Sequence, residues 1–310
     1  MSDNPLVIFH SMNGTMHCDD GFAAACVAKL GISTGEPEFF PGIYGQDPPL
    51  DRMQGRTVYL LDFSYKRPAM LDIVWKGKPE RLVVLDHHKT AEAELAGFAD
   101  EAKVGASCYV EFDMSHSGAI LAWRYFFGNT YTAPELLQRI EDGDLWRFAY
   151  GNTKTVQAAL RSYPQTFEVW LDLLERPIDE LAAEGVAIRR FIDAKVREIL
   201  PNARRMSVAG HEVWGVACPK FLASEIAAEL AERGVVALRR LLRRARVLTD
   251  QLPLRPLRGV DGLRHVERLG EARPKHPRHA LADVEAREPH GDPEQVDGAR
   301  RGERDAVAAG

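Results

Sequence analysis

Cysteine is scarce in this sequence, and long apolar runs are absent. The four cysteines among 310 residues are widely separated and form no C-x-x-C pair. This spacing argues against a disulfide framework or a zinc ribbon and is typical of reduced thiols. No apolar run approaches the roughly 18 residues that a membrane span needs, and MSDNPLVIFH at the N-terminus lacks the basic region of a signal peptide. We therefore expect a soluble, cytoplasmic protein that does not bind membranes.

Positive charge is also scarce over most of the chain. The formal net charge is −5, but residues 238–310 hold 15 Arg and 1 Lys against 12 acidic residues. Residues 1–237 are left with 24 basic and 33 acidic residues. Broad binding to duplex DNA depends on many phosphate contacts from Lys and Arg, so we do not expect duplex DNA as a partner. If the protein binds phosphates, another source of positive charge is required.

Residues 238–310 contain no Phe, Tyr, Trp, Ile, Met, Ser, Asn or Cys. Two interpretations of this segment stay open. One is an unstructured basic tail. The other is a shifted reading frame in a GC-rich gene, because the residues that remain have GC-rich codons. In either case we do not expect residues 250–310 to pack.

Strand-like and helix-like segments alternate over the first 128 residues. The strand-like segments are short, apolar and rich in β-branched residues, at 5–10, 57–62, 81–86 and 107–113. The helix-like segments lie at 21–31, 67–77 and 117–128. This alternation predicts an α/β fold, with a parallel sheet flanked by helices and right-handed crossovers.

Acidic and histidine side chains follow three of the predicted strands. Because the carboxyl ends of parallel strands meet at one edge of a sheet, we expect these side chains to lie close together. The set consists of His10, Asp20, Asp62, the trio Asp86-His87-His88, and Asp142 or Asp144. Two charges about 4 Å apart repel by roughly 4 kcal/mol at an effective dielectric near 20, so such a cluster needs cations. Carboxylate and imidazole ligands favour Mn²⁺ or Mg²⁺, with Co²⁺, Fe²⁺ or Zn²⁺ as further candidates.

Three motifs occur in a fixed order: CDDGFAAA at 18–25, LLDFSY at 60–65 and VVLDHH at 83–88. With these motifs the chain resembles the DHH phosphoesterase superfamily. That superfamily includes single-strand exonucleases, oligoribonucleases, cyclic-dinucleotide phosphodiesterases and family II inorganic pyrophosphatases. The resemblance covers residues 5–150 well and residues 205–235 faintly.

The resemblance implies a site with two Mn²⁺ ions, or Mg²⁺ or Co²⁺ in their place. The implied metal ligands are His10, Asp20, Asp62, His87 and Asp142, with Asp62 bridging both ions. Asp144 competes with Asp142, since the D-x-D pattern leaves the register open. The implied catalytic residues are His88, near the substrate phosphate, and Asp86, which supports it.

The first motif departs from the family pattern. Cys18 stands where the family has the earlier of two acids, and the loop after His10 is longer. Cys18, Asp19 and His17 stay open as candidates for that position. The glycine-rich G-G-G-H-type loop of the nuclease branch is also absent from the sequence.

Two further features have both a functional and an ordinary interpretation. A helix that begins at Ser117 and Gly118 could direct backbone N–H groups at a substrate phosphate, or it could be a normally capped core helix. Trp146 and Phe148 could stack on a base, or they could belong to the hydrophobic core.

The sequence and the resemblance together predict four segments. These are a metal-binding catalytic domain at 1–150, a helical linker at 151–203, an incomplete second α/β domain at 204–237, and the tail at 238–310. The expected reaction is hydrolysis of phosphodiester bonds in short oligonucleotides or small nucleotide phosphoesters, by water that two metals activate. The alternatives are a pyrophosphatase-like phosphohydrolase and a catalytically impaired binding or structural protein. A homodimer is compatible with either.

Overall fold

The computed structural model describes residues 4–102, 105–208 and 211–233. The tail predicted at 238–310 lies outside the described residues. The strands are β1 (Leu6–His10), β2 (Glu38–Gly42), β3 (Thr57–Leu61), β4 (Arg81–Asp86), β5 (Ser107–Phe112), β6 (Arg204–Val208) and β7 (His211–Gly215). The helices are α1 (Asp19–Gly31), α2 (Arg67–Asp72), α3 (Lys89–Glu94), α4 (Phe98–Ala102), α5 (Gly118–Phe127), α6 (Glu135–Asp144), α7 (Thr153–Leu160), α8 (Phe167–Glu175), α9 (Ile178–Ile199) and α10 (Ala223–Arg233).

Over the described residues, β1 to β5 form a five-stranded sheet in the order β2-β1-β3-β4-β5. Every neighbouring pair is parallel. The predicted α/β class with a parallel, helix-flanked sheet is therefore confirmed. Strand order reverses at β1 and β3, because the chain adds β2 on one side of β1 and then β3, β4 and β5 on the other. In open parallel sheets, ligands bind outside the carboxyl ends of the strands at such a reversal.

Both faces of the sheet are buried. Successive strand residues point to opposite faces, so Val7 and Phe9 pack with α1 and α5, whereas Leu6 and Ile8 pack with α2 and α4. This explains why β1, β3 and β4 read as continuous apolar runs.

Residues beyond 150 contribute to the core around α1 and α5. Val156 and Leu160 of α7, Trp170 of α8 and Leu181 of α9 lie in the same buried cluster as α1. This core therefore continues past the boundary predicted at residue 150. The second half of α9 packs against α10 in a separate cluster.

Four strands, one helix and one hairpin lie where the sequence predicts them. The strands predicted at 5–10, 57–62, 81–86 and 107–113 correspond to β1, β3, β4 and β5. The helix predicted at 67–77 is α2 followed by a π-helical turn at Ile73–Gly77. The hairpin expected near 205–219 is the antiparallel pair β6 and β7. β2 is not among the predicted strands, because Pro41 within EFFPG is a residue that interior strands exclude and edge strands such as β2 tolerate.

Two general expectations concern membranes and disulfides. In the described segments, no helix combines the length and apolar character that crossing a bilayer requires. All four cysteines are free.

Candidate metal centre

The candidate centre lies at the carboxyl edge of the sheet, where the strand order reverses. His10 is the last residue of β1, Asp62 directly follows β3, and Asp86 ends β4. Asp62 has φ 52°, a left-handed conformation that is uncommon outside glycine and that clusters at functional sites. Gly21 lets α1 begin against β1, because a Cβ at that position would lie 2.6 Å from the His10 carbonyl oxygen.

Two groups of ligand atoms converge at this edge, and Asp62 belongs to both. One group is His10, Asp62 and His88, and the other is Asp20, Asp62 and His87; within each, the ligand atoms lie within 4.8 Å of one another. His10 Nδ1 is 3.2 Å from Asp62 Oδ2, and His87 Nε2 is 3.0 Å from Asp62 Oδ1. The structure therefore brings together the predicted residues from three strands and from α1.

The N-terminus of α5 holds Asp20 in place. The N–H groups of Gly118 and Ala119 donate to the two Asp20 carboxylate oxygens at 2.6 and 3.0 Å. Ser117 is fully buried, and its hydroxyl caps α5 by accepting from the Ile120 N–H. The predicted substrate role of Ser117 and Gly118 is not supported by this arrangement, because the N–H groups that would bind a phosphate already donate to a carboxylate.

Asp86 organises the segment after β4. Its Oδ1 accepts from the His87 and His88 N–H groups at 2.7 and 3.1 Å and lies 2.6 Å from His88 Nδ1. Its Oδ2 accepts the Ser64 hydroxyl at 2.7 Å. Asp86 is fully buried. It therefore positions both histidines, as the supporting role predicted for it requires.

The neighbouring carboxylates raise the pKa values of both histidines that follow Asp86. Burial favours the neutral form of His87, but the hydrogen bond and charge of Asp62 outweigh burial and raise the pKa of His87 to about 10. Burial also opposes the charged form of His88, yet Asp86 raises the pKa of His88 to about 9.

The two buried carboxylates differ from each other. Burial, together with the charges of Asp62 and Asp144, raises the pKa of Asp20 well above its usual range. Burial opposes the charged form of Asp62 as well, but its contacts with His10 and His87 hold the pKa of Asp62 well below its usual range. Asp62 is thus the carboxylate most firmly ionised, as a ligand shared by two cations would need to be.

Of the two aspartates in EDGDLW, Asp142 and Asp144, only Asp144 points towards the cluster. Asp144 Oδ2 lies 3.5 Å from His87 Nε2. Asp142 is 2% exposed and accepts from the Ala149 and Tyr150 N–H groups at 2.8 and 3.2 Å, as well as from the Thr153 hydroxyl. Asp142 is therefore an anchor for the loop after α6, and Asp144 takes its place in the candidate ligand set.

The three candidates for the altered position in the first motif face different surroundings. His17 lies 2.9 Å from the Ser11 hydroxyl and stacks on Phe22 with ring centroids 5.2 Å apart. Asp19 pairs with Arg161 at 3.1 Å. Cys18 borders the cluster: burial and the charges of Asp62, Asp144 and Asp20 raise its thiol pKa well above the usual range.

The donor set fits divalent metal ions. Asp20 and Asp62 are each 1% exposed, and both contact His87. Within the described part of the chain, the ion-pair partners of these two carboxylates are histidines, not Arg or Lys. Buried carboxylates require neutralising partners. Oxygen and imidazole donors suit Mn²⁺, Mg²⁺ and Co²⁺. A thiol whose pKa is raised is a poor ligand, so Cys18 does not add to this set.

A cleft of about 700 Å³ opens beside the cluster. Asp20, Asp144 and Cys18 lie at its margin, and Trp146 and Phe148 also line it. Trp146 is 45% exposed, so its indole is not a core side chain. The ordinary interpretation considered for Trp146, a place in the hydrophobic core, is therefore wrong.

Sequence reasoning missed three contributors to this centre. Ser64 lies two residues after Asp62 in the LLDFSY motif, so its place in the motif was the available signal. The Ala119 N–H donates to Asp20, and a backbone group of this kind leaves no trace in the residue types of the sequence. Tyr44 packs against the His10 ring at 5.1 Å, and it follows β2, the strand that was not predicted.

Comparisons with known proteins add one relative. No family model matches the chain, and no solved structure matches it. Uncharacterized protein R106 of Acanthamoeba polyphaga mimivirus is 26% identical over 194 residues. The match covers 58% of this chain and 42% of the viral protein, so the matched region spans less than half of that relative. Its name states no activity and therefore assigns no function.

Proposed function

We propose that the protein is a metal-dependent phosphohydrolase of the DHH type that cleaves phosphodiester bonds in short oligonucleotides or small nucleotide phosphoesters. The observation that carries this proposal is the sharing of Asp62 by two groups of ligand atoms, one completed by His10 and His88 and the other by Asp20 and His87. A carboxylate shared in this way suits two adjacent divalent cations.

Each side chain at the edge has a distinct proposed role. His10 and Asp62 would hold one cation, and Asp20, Asp62, His87 and Asp144 would hold the other. Two bound divalent ions would supply hydroxide at neutral pH and stabilise the charge that develops on the phosphoryl group. The residues named here would be Mn²⁺ ligands first, with Mg²⁺ or Co²⁺ as substitutes.

His88 has a different proposed role, next to the substrate. Asp86 holds its Nδ1 at 2.6 Å, so the ring orientation is fixed and Nε2 is the nitrogen left for other contacts. As an imidazolium, His88 would donate a hydrogen bond to a phosphoryl oxygen and stabilise its charge. His88 also lies within ligand distance of His10 and Asp62, so a contact with a cation is its competing role.

The decisive test is hydrolysis of a dinucleotide by purified protein with Mn²⁺. We expect turnover that EDTA abolishes and that Asp62→Ala reduces to background, because Asp62 is shared by both ligand groups. Asp172→Ala removes an exposed aspartate from α8 and serves as the matched control. Turnover that survives in Asp62→Ala would contradict the proposal. Pyrophosphate as a second substrate distinguishes the pyrophosphatase alternative.

A catalytically impaired binding protein is the second candidate, and Cys18 favours it. Its thiol borders the acidic cluster, yet it belongs to neither group of ligand atoms. If Cys18 occupies the position of a lost ligand, Cys18→Asp should raise Mn²⁺ affinity and turnover together. Unchanged affinity in this variant would count against impairment at this position.

We also propose a cytoplasmic location. Four free cysteines, one of them the buried Cys26, are typical of a reducing compartment.

A further inference from the structure

The loop after α6 presents two aromatic side chains to the cleft. Trp146 and Phe148 have φ 55° and 47°, the left-handed conformation, which bulky residues rarely adopt. Their rings meet edge to face at 5.5 Å. Surrounding structure must hold such a loop, since each residue of this kind costs on the order of 1–3 kcal/mol.

Asp142 supplies that support. Its carbonyl oxygen accepts the N–H groups of Arg147 and Phe148 at 2.9 and 3.3 Å. Its carboxylate accepts the N–H groups of Ala149 and Tyr150. The buried Asp142 therefore fixes a strained loop that keeps the Trp146 side chain exposed. A loop that served only to fill the core would bury its largest side chain.

The aromatic loop starts beside the metal centre. Trp146 follows Asp144 by two residues, so their Cα atoms lie within about 7 Å of each other. Met12, which is 46% exposed, lines the same cleft from the loop after β1. The cleft thus joins an apolar wall, made of Met12, Trp146 and Phe148, to the ligand atoms of Asp20 and Asp144.

Cations line the cleft as well. Arg161 and Arg189 are engaged by carboxylates, including Glu225. Lys154 lies over the Phe148 ring at 4.9 Å, and neither Lys154 nor Arg197 forms an ion pair with another described residue. Two cations beside an apolar wall fit a ligand that carries both a planar ring and negative charge.

We propose that the wall formed by Met12, Trp146 and Phe148 binds the nucleobase of the substrate by stacking. The inference rests on the proposed function, and it narrows the substrate to phosphoesters that carry a base. Stacking on an indole is tolerant of base identity, because every base has a π face. A cleft of about 700 Å³ lies within the range of small-molecule sites, about 300–1,000 Å³, so it suits one or two nucleotides.

The test compares two ligands that differ only by the base. Binding of adenosine 5′-monophosphate and of ribose 5-phosphate is measured by calorimetry with Mn²⁺, on wild type, Trp146→Ala and Trp75→Ala. Trp75 is the matched control because it is 47% exposed and lies in the π-helical turn at Ile73–Gly77.

We expect Trp146→Ala to weaken nucleotide binding by about 5- to 150-fold, the range of base–aromatic stacking. Ribose 5-phosphate binding should change less than about twofold, and Trp75→Ala should change neither. Trp146→Phe should restore most of the nucleotide affinity.

Three outcomes would overturn the inference: no nucleotide binding by wild type, equal losses for both ligands, or no loss in Trp146→Ala. These outcomes are separate from a failure of the proposed function, which is read from hydrolysis in Asp62→Ala. Suppose that wild type hydrolyses a dinucleotide and that Trp146→Ala weakens the binding of both ligands equally. The proposed function would then stand, and the base-binding role of this wall would be refuted.

Discussion

Asp142 and Asp144 offer the sharpest test of the candidate centre, because they lie two residues apart and have opposite environments. Replacing either with Asn preserves its shape, but one terminal atom becomes an NH₂ group that cannot accept a hydrogen bond. In Asp142→Asn, at least one of the three donors on the carboxylate loses its acceptor inside the protein. An unsatisfied buried donor costs about 1–3 kcal/mol, so we expect the melting temperature to fall by on the order of 2–10 °C.

Asp144→Asn should behave in the opposite way. Burial and the charge of Asp62 raise the pKa of Asp20, and repulsion from Asp144 adds to the rise. Removing the charge of Asp144 should therefore leave the chelator-treated protein as stable as wild type or slightly more stable. Mn²⁺ affinity should fall by at least about 10- to 100-fold, the loss typical of even an outer-shell partner.

Calorimetric titration with Mn²⁺ and thermal unfolding in EDTA measure the two effects separately. Asp142→Asn should keep Mn²⁺ affinity within about threefold of wild type while it lowers stability. A larger loss of Mn²⁺ affinity in Asp142→Asn than in Asp144→Asn would refute the assignment and return Asp142 to the ligand set.

Further predictions concern the support of the cluster. Gly118→Ala would place a Cβ 2.4 Å from the Cβ of Asp62, so it should weaken Mn²⁺ binding about 10- to 100-fold. Gly151→Ala is the control, because no atom lies within 4 Å of the added Cβ, and it should leave Mn²⁺ binding unchanged. Ser64→Ala removes a hydrogen-bond donor to Asp86, which orients His88. Because His88 is the residue proposed to contact the substrate, turnover should fall more than Mn²⁺ affinity. Equal losses in the two quantities would contradict this prediction. Since His87 has a pKa of about 10 and metals bind neutral imidazole, Mn²⁺ affinity should rise by up to about tenfold per pH unit between pH 7 and 9. Affinity that is flat over this range would show that the His87 proton is not displaced.

The parts of the centre that the sequence predicted are those marked by strand ends. His10, Asp62 and Asp86 each terminate an apolar run, and buried parallel strands make such runs easy to find. Their meeting follows from sheet geometry alone, since carboxyl ends of parallel strands share one edge. The same pattern could not reveal β2, whose residues mix proline and glycine with aromatics.

The choice between Asp142 and Asp144 depended on tertiary structure. Residues at i and i+2 of a helix do not share a face, so only one of the two could point at the cluster. Which one does so is decided by how α6 packs and by the Thr153 hydroxyl, which lies 11 residues downstream. The donors to Asp20 were equally hidden, because they are backbone N–H groups 98 and 99 residues away.

Backbone N–H groups hold two of the buried carboxylates, Asp20 and Asp86, in fixed orientations. Asp20 is held by two N–H groups of α5, and Asp86 by those of His87 and His88, so neither carboxylate depends on a flexible partner. Asp20 and Asp62 nevertheless both approach Nε2 of His87, at 3.7 and 3.0 Å, and two carboxylate charges exceed the single charge that this imidazole can carry. Burial and the charges of Asp62 and Asp144 therefore raise the pKa of Asp20, and protons or cations must supply the missing positive charge. Proton uptake and metal affinity at this edge of the sheet are therefore linked. Each proton released when a metal ion binds corresponds to one positive charge that the metal replaces.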